Sequence, residues 1–202
     1  MAPLRPESKL AMKTFVIFFA ALALLIYVPA RPLAHESPID HVDRDIRIWV
    51  AGESIYVSYQ LQLSERAAMM QLHKMDVDAS GTVSDTERRT YFADFAAQLV
   101  RQLQLKVGTQ PVSLKPDSPV KLLPQFRQKF IFSGPVGRLP KGKTPGRIDD
   151  LYSRSYPGNY RFVPARADQR QDTKVIVTEA PKPVDASGHA GTLQIKFEID
   201  VP

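Results

Sequence analysis

Along most of this chain the apolar residues recur at every second position, and only between Ser64 and Leu103 does the interval lengthen to that of a helix. Such a pattern restricts the fold to sheets interrupted once by helices. Ile46, Ile48 and Val50 alternate with Asp45, Arg47 and Trp49; after Ala51-Gly52-Glu53-Ser54, the residues Ile55, Val57, Tyr59, Leu61 and Leu63 alternate with Tyr56, Ser58, Gln60 and Gln62. These two runs predict an opening β-hairpin. Ala67, Ala68, Leu72 and Met75 then fit a short helix begun by Ser64, and Tyr91, Phe92, Phe95, Ala96, Leu99 and Leu103 a longer amphipathic one. Strands return with LQLKV, a turn at Gly108-Thr109-Gln110 and PVSL, followed by QKFIF, NYRFV, KVIVT and TLQIKFEIDV. The fold class expected is mainly β: an antiparallel sandwich with a helix-loop-helix inserted after its second strand.

Composition narrows the chemistry. Cysteine is absent, which removes disulfide scaffolds, thiolate zinc sites, iron–sulfur clusters and cysteine nucleophiles. Seventeen prolines against ten glycines suit short strands joined by stiff connections better than a helix bundle. The net charge of +6 is too mild to argue for nucleic acid as a partner.

The first thirty residues have the pattern of an export signal. Arg5, Lys9 and Lys13 precede an uncharged run from Thr14 to Ala30, short for a bilayer span of ~20 residues. Val28-Pro29-Ala30 offers small residues for cleavage, with Pro32-Leu33-Ala34 as a second site. The expected organisation is a signal over 1–30, or an anchor if it is retained, and an exported domain over 31–202. The exported part then works in the periplasm or outside the cell, where calcium is plentiful.

One segment carries chemistry. Asp76-Val-Asp-Ala-Ser-Gly-Thr-Val-Ser-Asp-Thr-Glu87 places side-chain oxygens at the first, third and fifth positions through Asp76, Asp78 and Ser80. Gly81 at the sixth supplies a sharp turn, Thr82 at the seventh a backbone carbonyl, and Ser84 at the ninth an oxygen acting directly or through water. Glu87 at the twelfth closes the shell with two oxygens. Calcium takes six to eight hard oxygens at flexible geometry, and this spacing provides them. A helix-capping box explains Ser84 and Glu87, and an ordinary turn Ser80 and Gly81, without any ion. Neither explains Asp76 and Asp78, whose carboxylates crowd beside Glu87.

Over residues 65–104 the chain thus resembles the EF-hand family, and the resemblance implies calcium as cofactor. Ser80 replaces the usual acid or amide and no second EF-hand is present to pair with, so affinity is expected in the extracellular range, ~10⁻⁴–10⁻³ M. A second resemblance is diffuse. Ala34-His35, a β-hairpin, VSDTERRTYF on a helix pair and LYSRSYPGNYRFV look like the exported domain preceding some nickel/cobalt transporter permeases. Those permeases carry multi-helix membrane parts that these 202 residues do not contain, so transport itself is not carried over. What the likeness implies is an extracytoplasmic nickel- or cobalt-handling accessory, with a membrane metal transporter or other exported protein as partner. His35, His41 and Asp43, close together near the expected mature N-terminus, are a candidate second, transition-metal site, the alternative being a mobile polar terminus.

Other signals are discounted. Gly137-Arg-Leu-Pro-Lys-Gly-Lys143-Thr144 matches the phosphate-loop pattern, but Pro145-Gly146 forbids the helix that must follow, so no nucleotide is expected. His73 and His189 are placed on a solvated helix face and in a loop. Residues 119–170, with eleven Lys or Arg against three acids, read as a solvated connection. Tyr152, Tyr156, Tyr160 and Phe162 around Pro157-Gly158 read as a hairpin with a half-buried aromatic face. The function expected is a calcium-binding, exported interaction module and not an enzyme; a hydrolase with structural calcium is the further alternative. The mature chain should begin near Arg31 or His35. Terminal sequencing of the exported product checks this, and an intact Met1 or Ala2 would favour an anchor.

Overall fold

In the computed structural model residues 42–156, 158–163, 173–179 and 193–202 are described. The alternation near the start becomes β1 (Val42–Ala51) and β2 (Ser54–Leu63), antiparallel from Val42–Leu63 to Ala51–Ser54 around a two-residue turn. Their inward faces carry the predicted residues: Ile46, Ile48, Ile55, Val57, Tyr59 and Leu61 are all fully buried. Two helices follow, α1 (Glu65–Met75) and α2 (Asp85–Gln102). Ser64 starts α1 by accepting a hydrogen bond from the Ala67 N–H at 3.1 Å. The chain then returns to β structure through β3 (Leu103–Val107), β4 (Gln110–Val112), β5 (Lys115–Pro116), β6 (Lys121–Leu123), β7 (Arg127–Pro135), β8 (Gly142–Asp150), β9 (Tyr160–Phe162), β10 (Lys174–Glu179) and β11 (Leu193–Val201).

The strands form two sheets. One runs β5-β7-β2-β1-β9, with β6 also paired to β7; the other runs β10-β11-β8-β3-β4. Their buried faces merge in one apolar cluster, Phe130 and Phe132 from one sheet meeting Leu105, Ile148, Phe197 and Ile199 from the other. Burying each such side chain is worth about 1.5–3 kcal/mol, which is what holds the sheets face to face. The mainly-β fold with its helical insertion after β2 is as the periodicity predicts. Within that frame one pairing departs from the antiparallel expectation: β9 lies parallel to β1, in register from Arg44–Tyr160 to Ile46–Phe162.

Three local expectations are corrected. Leu72, assigned to the packed face of α1, is 45% exposed, while Ala67, Ala68 and Met75 are buried. The segment taken as a solvated connection contains β7 and β8, and β8 lies inside its sheet between β11 and β3. Its sequence, GKTPGRIDD, hides this because Pro and Gly are depleted in strands. Both are accommodated by neighbours. The Pro145 carbonyl accepts from the Gly108 N–H at 2.7 Å, so the edge without a donor faces the end of β3 and not the β11 ladder. Gly146 lies under the Phe197 ring, where an added Cβ would sit 2.2 Å from a ring carbon. Finally, the tyrosines around Gly158 form no hairpin. Tyr152 starts a single 3₁₀ turn, Tyr152–Arg154, and Tyr160 belongs to β9.

Those tyrosines enclose a charge. Arg44, on the inward face of β1, is 1% exposed, and Asp150 at the end of β8 is fully buried. The Arg44 Nε lies 3.3 Å from an Asp150 carboxylate oxygen and donates to the Tyr59 hydroxyl at 2.8 Å. Its terminal nitrogens donate to the Val42 and Tyr156 carbonyls. The guanidinium carbon also lies 5.3 Å and 5.0 Å from the ring centres of Tyr152 and Tyr160, within cation–π reach. Tyr59 and Tyr160 donate to one Asp150 oxygen at 2.7 Å and 3.2 Å, and the Tyr152 N–H donates to the other at 2.9 Å. Burial pushes the Asp150 carboxyl up, against the opposing pull of Arg44 and the hydroxyls. Arg44→Met should leave Asp150 as an uncompensated buried acid and lower stability by about 3–5 kcal/mol in urea unfolding. Arg44→Met combined with Asp150→Leu should recover most of that loss.

Candidate metal centre

Between α1 and α2 lies the loop from Asp76 to Glu87, and its backbone is organised by the side chains proposed as ligands. Asp76 is the residue on which α1 ends, its N–H still bonded to the Leu72 carbonyl at 3.1 Å. Its carboxylate turns forward to accept the Ser80 and Gly81 N–H groups, both at 2.9 Å. Asp78 accepts the same Ser80 N–H at 3.0 Å. Two residues take left-handed backbone, Ala79 at φ 54° and Gly81 at φ 82°. The glycine at the sixth loop position is thus required by conformation, since no atom would obstruct a Cβ there.

The far end closes on Glu87. Ser84 caps α2, its hydroxyl accepting from the Glu87 N–H at 3.3 Å while the Glu87 carboxylate accepts the Ser84 N–H at 2.9 Å. The same Glu87 oxygen accepts the Ser84 hydroxyl at 2.7 Å, and its other oxygen reaches across the loop to the Val77 N–H at 2.8 Å. These donors, the Ser84 hydroxyl foremost, hold the Glu87 carboxyl below the usual range, so it is ionised at neutral pH.

The result is convergence. One ligand oxygen from each of Asp76, Asp78 and Glu87 lies within 4.8 Å of the others. Ser80 joins them, its hydroxyl 3.5 Å from Asp76 and donating to the Thr82 carbonyl at 3.1 Å. Of the predicted set, Asp76, Asp78, Ser80, Thr82 and Glu87 are brought together, whereas the Ser84 hydroxyl is engaged in the cap. Among the described residues none of the three carboxylates is ion-paired with Lys or Arg. An all-oxygen, net-negative donor set of this kind suits a hard cation such as Ca²⁺. Val83 at the eighth position is half-buried against the main core, anchoring the loop to its own domain.

The candidate second site is not assembled by the described residues. His35 and His41 lie outside them, and an oxygen of Asp43 accepts the Asn159 N–H at 2.9 Å. His73 is exposed near the end of α1 and His189 lies outside the described residues. The phosphate-loop match runs into β8, a strand, and Lys143 pairs with Glu198 at 3.1 Å. Sequence reading missed the Arg44–Asp150 cluster. The signal was present: Arg44 has the same parity in β1 as Ile46, Ile48 and Val50, and so had to point inward.

In comparisons with known proteins the chain matches no family model, and no curated protein or solved structure shows significant similarity to it.

Because the folded Glu87 carboxyl titrates below the ordinary Glu value of ~4.3, its capping contribution is complete above that pH and is lost as pH falls through the lower folded value. In calcium-free buffer, melting of the wild type should weaken relative to Glu87→Gln on acidification below about pH 4 and run parallel to it above about pH 5.

Proposed function

We propose that this chain is a calcium-binding module built on a single EF-hand, exported from the cytoplasm and acting by binding and not by catalysis. The observation that carries the proposal is the convergence of the Asp76, Asp78 and Glu87 carboxylates in a twelve-residue loop, beside the Ser80 hydroxyl and the Thr82 carbonyl. Backbone N–H groups and the Ser84 hydroxyl offset part of that negative charge, and a divalent cation would relieve the rest. Asp76, Asp78, Ser80, Thr82 and Glu87 are the residues that would hold it. The ion would tie the end of α1 to the start of α2, since Asp76 terminates the first and Glu87 lies in the first turn of the second.

Export is supported by the basic and apolar pattern of the first thirty residues. A binding role is supported by the state of the buried acid: the Asp150 carboxylate already accepts from Tyr59, Tyr160 and the Tyr152 backbone. It is thereby committed to the core and not offered to a substrate.

Calorimetric titration of the exported domain with calcium, magnesium and nickel tests the proposal, with calcium expected to bind most tightly and at ~10⁻⁴–10⁻³ M. Calcium at tenfold excess over its Kd should add about 1.4 kcal/mol, read as a rise in Tm. Glu87→Gln keeps the side chain's shape and should abolish that rise. No shift at millimolar calcium, or an equal shift in the variant, would overturn the reading.

A further inference from the structure

Next to the loop, on the flank of α2, the surface is apolar and concave. A cavity of about 390 Å³ is lined by Met75, Val83, Phe92, Leu122 and Phe126. A second, of about 540 Å³, shares Arg88, Phe92 and Leu122 with it and continues past Ala96 to Pro119 and Val120. Together they make one groove. Leu72, Leu122 and Phe126 along it are 45%, 51% and 49% exposed, an unusual cost for large apolar side chains in a chain with a well-filled core.

Two further observations show that the groove is built and what it fits. Gln125 and Phe126 both take left-handed backbone, at φ 61° and 56°. A bulky aromatic residue is strained there, and the turn is pinned by the Leu63 N–H donating to the Phe126 carbonyl at 3.2 Å. The hydrogen-bonded turn thus holds an aromatic ring at the edge of the groove despite that strain. The rim is cationic, with Arg88, Arg89 and Arg127 against Asp117. Arg88 is held by Asp85, whereas Arg89 and Arg127 have no carboxylate partner among the described residues.

We infer that this groove docks a polypeptide segment of another protein, one that presents apolar side chains flanked by Asp or Glu. Charge selects that occupant. The chain's own apolar run, Thr14–Ala30, is preceded by Arg5, Lys9 and Lys13 and would set like charges against the rim. Concavity favours a segment that inserts side chains over a flat anionic bilayer. Met75 and Val83 belong to both the groove and the calcium hairpin, so occupancy of the loop bears on groove shape, but docking itself does not rest on the metal reading.

The test uses the full chain and fluorescence anisotropy with two labelled peptides sharing a Leu-Ala-Ala-Phe-Ala-Ala-Leu centre, one flanked by Glu and one by Lys. The Glu-flanked peptide should bind roughly tenfold more tightly. Leu122→Ser and Phe126→Asn should each weaken it about tenfold without lowering Tm, because Leu122 is at the surface and Asn tolerates left-handed backbone. Arg89→Glu should reverse the preference between the peptides. Absence of binding at about 100 μM, equal binding of both peptides, or a preference unmoved by Arg89→Glu would overturn the proposal. So would binding confined to vesicles of phosphatidylglycerol. Repeating the measurement in chelator separates the two readings: peptide binding that persists upholds the groove, while the calcium titration stands or falls alone.

Discussion

The Arg44–Asp150 pair is the constraint around which the two sheets are arranged. Arg44 comes from β1 and Tyr59 from β2 of one sheet, and Asp150 comes from β8 of the other. An ion pair so deeply buried costs desolvation that apolar packing would not. What it adds is position, because the carboxylate and guanidinium are satisfied only when all three strands, the Tyr152 turn and β9 are in place. The odd parallel pairing follows from this: β9 must lie alongside β1 for Tyr160 to reach both Asp150 and the Arg44 face. Alternative registers would strand a charge in the core.

The helical insertion is held by lighter forces. α2 packs through Phe92, Ala96 and Leu99, with Phe95 edge-on to Phe130 and Tyr152 at ring separations of 5.6 and 6.0 Å. The second of these contacts links the helix to the aromatic shell of Arg44. α1 buries only two alanines and Met75, so its position depends more on the loop that follows. That division leaves α1 with fewer buried apolar side chains tying it to the sandwich than β2 or β11 has.

In that loop, capping already uses the atoms that would hold an ion. Each carboxylate oxygen has two acceptor sites. One Glu87 oxygen uses both on Ser84, while the other accepts the Val77 N–H. A cation that engaged both oxygens would have to displace the Ser84 hydroxyl. Binding of a cation there would be coupled to the start of α2 by that competition, and the groove wall formed by Met75 and Val83 lies beside it.

How much was legible in the chain follows from the range of each interaction. The opening strands, the hairpin and both helices were set by local periodicity. The loop was set by spacing, since Asp76, Asp78, Ser80 and Glu87 lie within twelve residues and need only their own backbone to converge. β8 was not legible, because its few apolar residues and its Pro145-Gly146 step make sense only beneath Phe197 and beside Gly108. The tyrosines near Gly158 looked like a hairpin because what fixes them is remote or turned inward: Tyr160 pairs with Arg44 in β1, more than a hundred positions away, and donates to the buried Asp150. Leu72 fell on an apolar helical face whose Ala67, Ala68 and Met75 are buried, and only tertiary packing could leave Leu72 itself exposed at the wall of a groove. Short-range order is written in alternation and spacing; the buried ion pair, the parallel strand and the groove exist only once distant segments are brought together.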